Sequence, residues 1–304
     1  MASVRRINLK TDCEKRDELI DFCLMNPSKQ YVAIGWSCVY TDERVPFADY
    51  KSFYYAVKDY IKSYGGRMNH ALNSFWYVEE NDLFWTRDLE GMYWVCRALG
   101  ASESMCDKKM DIGAIVPVKA VKVGLEVPGQ IKAQFNRANG GIICELDDSL
   151  IENYSKYIYN KLTSENAYSD ISKVEGNIIN NLPDFELEEL VISYLQIVKD
   201  YYVLSNSIAR KSTTVCIECE LIKRDKNIHE KAVVQVKAKE GLIDYRDYEG
   251  YLSDGFRVYV YDGGKEIAHD KRFDIISRKE LEIFYHEYKS ILPESITMWE
   301  NVFA

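Results

Sequence analysis

The stretch that most constrains this chain is Thr213 to Lys239, TTVCIECELIKRDKNIHEKAVVQVKAK. It reads as two strands, from about Val215 to Ile222 and from about Lys231 to Ala238. Arg224, Asp225, Lys226 and Asn227 form the polar turn between them. Strand side chains alternate, so Cys216, Glu218 and Glu220 share one face, and Ile217, Cys219 and Leu221 the other. On the second strand Val233, Gln235 and Lys237 share a face, with Val234 and Val236 opposite. A hairpin centred near Lys226 and Asn227 sets Glu218 roughly opposite Gln235. One wall of the ribbon then carries a carboxylate, an amide and an ammonium together. Burying an isolated charge is very costly. This wall is therefore either wet, the polar outer face of an ordinary hairpin, or it serves a metal ion and a substrate.

An acid, then about fifteen residues, then Gln-x-Lys inside an apolar run resembles the active site of the PD-(D/E)xK nuclease superfamily, in its Mrr-like branch with Gln for the second acid. Glu218 matches the first acid, Gln235 the substituted acid and Lys237 the lysine. The resemblance covers roughly the last 130 residues and rests on an ordered context: helix, strand, hairpin with acid, QVK strand, helix, strand. It implies a restriction-endonuclease-like αβββαβ core and Mg²⁺-dependent (or Mn²⁺-dependent) hydrolysis of DNA phosphodiester bonds. The implied metal ligands are Glu218, the Gln235 side-chain oxygen and the Val236 carbonyl, with Lys237 acting on the attacking water and the phosphorane charge. An amide ligand brings no negative charge, so a further acid is needed. In the Mrr-like branch the helix before the sheet begins with a Phe-Glu pair, and Phe185-Glu186 matches it. The helix acid is then Glu186, with Glu175 in the preceding helix and Glu220 on the ribbon as competitors.

With 304 residues the chain is long enough for two domains. Its 47% hydrophobic and 29% charged content is that of an ordinary globular protein. No apolar run approaches the ~20 residues a membrane helix needs. The opening MASVRRINLKTDCEKRDEL has charges but no apolar core, unlike a secretion signal. Eight irregularly spaced Cys fit reduced thiols, hence a cytoplasmic location, and the single CxxC (Cys216, Cys219) has no second pair to complete a zinc site. A net charge of -9 argues against a general nucleic-acid coat. The charge is uneven, however. Residues 147–189 carry ten Asp/Glu and three Lys/Arg, residues 208–239 carry four and eight, and residues 108–137 carry two and six. That distribution allows a local phosphate-binding surface on an acidic protein.

The first 163 residues read as a separate α+β unit. Helices are expected at Asp17–Met25, Asp49–Tyr64 (stripe Phe53, Val57, Tyr60, Ile61) and from Met68 toward Phe75. Strands are expected at Tyr31–Tyr40, broken by Gly35-Trp36, and at Asp82–Arg87, Met92–Leu99, Ile112–Val123 and Ile142–Leu146. Glu90-Gly91 and Asn139-Gly140-Gly141 are the turns. Several short strands with inserted helices suggest a small barrel. Gly35-Trp36 followed by NDLFWTRDLEGMYWVCRALG resembles the PUA-like barrel of the EVE type, on Asp82, Leu83, Trp85, Arg87, Gly91, Tyr93, Trp94 and Arg97. That resemblance implies a base-reading cage from Trp36, Trp85, Trp94, Tyr93 and Arg87, where stacking contributes about 1–3 kcal/mol per base. The plainer alternative is that the tryptophans fill the core.

Asp147-Asp148 can cap a helix through Asn160, with Leu150, Tyr154, Tyr157 and Ile158 on one face. Thr163 to Asp170, TSENAYSD, reads as a linker, and a second domain as residues 171–304. A helix from Ile171 to Leu182 precedes Pro183. A second, from Glu186 to Lys199, carries Leu187, Leu190, Val191, Tyr194, Leu195 and Val198 at 3.6-residue spacing. Phe256–Tyr261 is a strand, and Ser277 can cap a last helix through Ser290. None of the four His has ligand spacing, and phosphate-loop and serine-hydrolase motifs are absent. The expectation is a restriction or defence endonuclease acting on DNA, as a homodimer if both strands are cut. Its rival is a non-catalytic nucleic-acid- or nucleotide-binding protein that keeps the nuclease fold.

Overall fold

The computed structural model describes residues 2–43, 45–63, 65, 70–137, 141–171, 176–205, 207, 217–237, 243–263 and 271–303. The chain mixes α and β structure and divides into two compact units, Met1–Ser172 and Lys173–Ala304.

The first unit holds β1 (Val4–Ile7), α1 (Arg16–Ile20), β2 (Gln30–Ile34), α2 (Tyr50–Ser63), α3 (His70–Trp76), β3 (Leu83–Arg87), β4 (Tyr93–Ala98), β5 (Glu103–Asp107), β6 (Ile112–Gly124), α4 (Gly129–Asn136), β7 (Ile143–Glu145) and α5 (Ser149–Thr163). The strands form one sheet in the order β2-β6-β4-β3-β1-β7, with β5 beside β6. It curls as a half-barrel and does not close, so the expected small barrel is open. The 13-residue β6 makes the curl, pairing along its length with β2, β5 and β4.

Local patterns set most of these elements. The buried stripe of α2 is Tyr50, Phe53, Val57 and Ile61, the i, i+3, i+4 repeat, and Tyr60 is turned outward. Asp148 caps α5, its carboxylate accepting from the Leu150 and Ile151 N–H groups. That start turns the α5 core stripe to Ile151, Tyr154 and Ile158, leaving Leu150 and Tyr157 only partly covered. β2 ends at Gly35-Trp36 for a reason visible across the sheet. Trp36 adopts φ +71, and both the Ser37 N–H (2.9 Å) and the Ser37 hydroxyl (2.8 Å) donate to Asp111 Oδ1. A Cβ on Gly35 would stand 2.6 Å from Asp111 Oδ2, so a side chain there would displace the carboxylate that holds Ser37.

Residues 163–170 are not a linker. They fold back as a strap on the first unit. Tyr168 is 4% exposed, packs edge-on against Tyr159, and its hydroxyl donates to the Asn81 carbonyl at 2.8 Å. Glu165 pairs with Lys119 and Arg97, and Asp170 accepts from the buried Lys156 ammonium at 2.7 Å. The Lys119 hydrogen bond holds the Glu165 carboxyl below its usual range, and the Lys156 bond does the same for Asp170. A depressed folded pKa means stability that is present above the unfolded pKa and lost as pH falls through the folded one. Glu165→Gln is therefore expected to lower the melting temperature of the full chain at pH 7. The difference from wild type should shrink steadily below about pH 4. An equal gap at pH 7 and pH 2.5 would show that the strap is not held by charge.

The second unit holds α6 (Ile178–Asn181), α7 (Asp184–Ile197), β8 (Tyr201–Val203), β9 (Cys219–Lys223), β10 (Lys231–Lys237), α8 (Glu249–Ser253), β11 (Arg257–Asp262), β12 (Asp274–Ile275), α9 (Arg278–Tyr288), α10 (Glu294–Thr297) and α11 (Trp299–Phe303). Its sheet order is β12-β11-β10-β9-β8. β8, β9 and β10 run antiparallel in turn; β11 and β12 then run parallel to β10. The crossover from β10 to β11 passes through a 3₁₀ turn, Tyr245–Tyr248, and α8. α7 buries Leu187, Leu190, Val191, Tyr194 and Leu195, while Val198 at its end is exposed. Ser277 and Glu280 close a full capping box on α9. Of the helix expected over Ile171–Leu182, only Ile178–Asn181 is helical among the described residues. Among the described residues no helix is long and apolar enough to cross a membrane.

Candidate active site on the second sheet

β10 is the middle strand of its sheet, and Ala232 to Val236 are all buried, Gln235 to 1% exposure. The turn over Arg224–Asn227 sets the register with β9: Ala232 faces Leu221, Val233 faces Glu220 and Val234 faces Cys219. One step further, the Glu218 N–H donates to the Val234 carbonyl at 2.9 Å, which brings Glu218 beside Gln235. On the other side, Gln235 lies next to Val260 and Lys237 next to Asp262.

Four groups meet there. Gln235 Nε2 donates to Glu218 Oε1 at 3.0 Å and to the Val236 carbonyl at 2.9 Å. The Tyr248 hydroxyl donates to Gln235 Oε1 at 3.0 Å. An ionised carboxylate and a carbonyl can only accept, so the amide nitrogen must face them and its oxygen is left for Tyr248. Tyr248 itself packs with Val233, Val258, Val260 and Phe273. Lys237 is two residues beyond Gln235 on the same pleated face and partly exposed. The ribbon wall is thus neither bare nor fully wet, because the 3₁₀ turn covers its inner half.

Glu220 shares the Glu218 side of β9, and its negative charge adds to burial in raising the Tyr251 hydroxyl pKa. Glu186 is buried in the first turn of α7. Glu175 lies outside the described residues, as does Cys216. Among the described residues no three His, Cys, Asp or Glu side chains are grouped to hold a metal, so neither Glu186 nor Glu220 joins Glu218 in an acidic triad. The donors that converge are one carboxylate, one backbone carbonyl and one amide. All three offer oxygen, the chemistry a hard divalent cation takes. Gln235 is such a donor only with its amide reversed from the orientation Tyr248 holds.

Tyr248, in a stretch rich in tyrosine, and the outer acids of α7 were not singled out by the sequence patterns. The Cys219 thiol is pushed up to about 12 by burial, and then by the negative charges of Glu218, Glu189, Glu188 and Glu220. The acids of α7 and of the ribbon therefore act on one point. Glu189, three residues past Glu186, was the position helical spacing could have offered. Cys219 is a buried, inert thiol.

The five residues expected to cage a base are not brought to one place. Trp85 is wholly buried, stacks on Tyr154 and donates to Ser155 Oγ at 2.8 Å. Arg87 and Tyr93 lie on the same face as Trp85, next to Phe135 of α4. Trp94 is on the opposite face, in the core with Phe84 and Cys96, and its Nε1 donates to Asp88 Oδ2 at 2.9 Å. Trp36 packs at the margin of that second core. The period-2 alternation of strands separates the set. Compared with known proteins, the chain matches no family model, no curated protein and no solved structure.

Proposed function

We propose that this chain is a divalent-cation-dependent DNA endonuclease of restriction type. Its first unit engages and selects the DNA, and its second unit hydrolyses the phosphodiester bond. The observation that carries this reading is the convergence of the Glu218 carboxylate, the Val236 carbonyl and the Gln235 amide, with Lys237 on the same face. The chain order around it supports the same reading: helix α7, three antiparallel strands, a helical crossover, then a parallel strand.

Glu218, Val236 and Gln235 would hold the Mg²⁺ or Mn²⁺. The bound cation would neutralise phosphate charge and lower the pKa of a coordinated water. Lys237 extends from the exposed end of β10, where its ammonium can orient that water and offset the charge growing on the phosphoryl oxygens. The buried side of the site, walled by Tyr248, Val260 and Phe273, excludes bulk water and strengthens these charge interactions. Cutting both strands needs two such sites, so the active form is a homodimer.

One observation favours the rival reading, a nucleic-acid-binding protein without catalysis: Tyr248 holds the Gln235 oxygen away from Glu218. A plasmid assay separates the two. The full chain with Mg²⁺ is expected to convert supercoiled plasmid to nicked and linear forms, and excess chelator should stop it completely. Plasmid left supercoiled across Mg²⁺ and Mn²⁺ titrations, by protein that still binds DNA, would leave the binding reading in its place.

A further inference from the structure

Arg87, of the expected base cage, is partly exposed and its guanidinium has no hydrogen-bond or ion-pair partner among the described residues. Its guanidinium lies 5.9 Å from the Tyr93 ring centre and 5.6 Å from that of Phe135, and the two rings meet edge to face at 5.4 Å. A second guanidinium, that of Arg6, lies 5.8 Å from the Phe135 centre. Arg6 is 1% exposed; it donates to the Gly141 and Ile142 carbonyls, and its Nε has no hydrogen-bond partner. Among the described residues no carboxylate pairs with either of them, whereas Arg5 and Arg97 in the same unit each have one. Lys132, one helical turn before Phe135 and partly exposed, likewise has no acidic partner among the described residues. Contact with the rings uses none of the Arg87 N–H donors. Arg6, which shares the Phe135 ring with Arg87, and Lys132 on the same helix as Phe135 add positive charge there, while Asp88 and Glu90, next along the chain, are engaged by Lys122. These cations lie on a protein of net charge -9, within or beside the basic segment 108–137.

We infer that Arg87, with Lys132 of the adjoining α4, contacts the phosphodiester backbone of DNA. This rests on the reading of the chain as a DNA-acting protein and adds where the first unit grips its substrate. A planar fork of donors set against two aromatic rings suits a phosphate, and phosphate contacts position a protein on DNA without reading sequence.

The test is the salt dependence of binding to a fluorescent duplex, with the full chain in chelator so that nothing is cut. Arg87→Ala is expected to weaken binding about tenfold or more on plain and modified duplexes alike, and to lower the slope of log affinity against log salt by about one. Arg87→Lys should recover the slope, because it keeps the charge. Lys132→Gln should lower the slope similarly without touching the ring contacts, and it decides the matter if Arg87→Ala unfolds. A loss confined to one sequence with the slope unchanged would make Arg87 a base contact and overturn the inference, as would unchanged binding by both variants. Displacement of DNA by inorganic phosphate at matched ionic strength would make this a small-anion site and overturn it too. Wild-type protein that binds no duplex would instead remove the DNA-acting reading, and this inference with it.

Discussion

On the proposed nuclease reading, Lys237→Ala is expected to slow Mg²⁺-dependent plasmid cleavage by about 10²–10³-fold while the melting temperature stays that of wild type. The size follows from what the ammonium does. It is the positive group on the site face, beside one carboxylate and two neutral oxygen donors, so little else can meet charge developing at phosphorus. The unchanged stability follows from where Lys237 sits. Its contribution to the sheet is through the backbone: its carbonyl accepts from the Gly263 N–H at 2.8 Å, and alanine keeps that bond. Its side chain is partly exposed and has no ion pair among the described residues, so truncation leaves no buried charge behind. Single-turnover cleavage rates and thermal melts on the same preparation measure both halves. A variant that cuts within tenfold of wild type would take Lys237 out of the chemistry. One that loses cutting only because it has unfolded would show a structural role.

Asp82→Ala is expected to cost about 3–5 kcal/mol, because it leaves a buried guanidinium unpaired. Asp82 and Arg5 form an ion pair at 2.5 Å with side chains 5% and 6% exposed. The same carboxylate accepts from the Ser3 N–H at 2.8 Å and the Glu79 N–H at 3.0 Å, so it ties β1 to the turn before β3. Removal orphans three donors at once, one of them charged. Urea unfolding of the full chain should show a first transition moved to lower denaturant, with the second unit's transition unmoved. The double variant Arg5→Met/Asp82→Leu should regain the share due to the unpaired charge, since a buried pair replaced by apolar groups is often near neutral, but not the share due to the Ser3 and Glu79 N–H groups. A loss below about 1 kcal/mol in Asp82→Ala would mean that Arg5 finds another partner or water.

The ribbon was legible because its determinants are local. The turn residues and the two strand lengths fix its register, and register carries Glu218 to Gln235. Tyr248 was not legible, because nothing near position 235 encodes which element will cover that face. The same limit separates Trp85 from Trp94. Their strands were plain in the pattern, but the cage drawn from their side chains ignored the pleat that sends them to opposite faces. The strand Val4–Ile7 was hidden by Arg5 and Arg6, two charges in a run that is buried throughout. Residues 163–170 looked like a linker because their polarity is satisfied by groups elsewhere in the chain, such as Lys119 and Asn81.

By itself the sequence determined the elements whose cause lies within a few residues: capped amphipathic helices, alternating strands, and a hairpin that aligns an acid with an amide. Only the tertiary structure decided which polar groups may be buried and which way they face. Arg5 finds its partner 77 positions away and Tyr168 its acceptor 87 away. Burying a polar group without such a partner is costly, and those pairings exist only once the chain has folded.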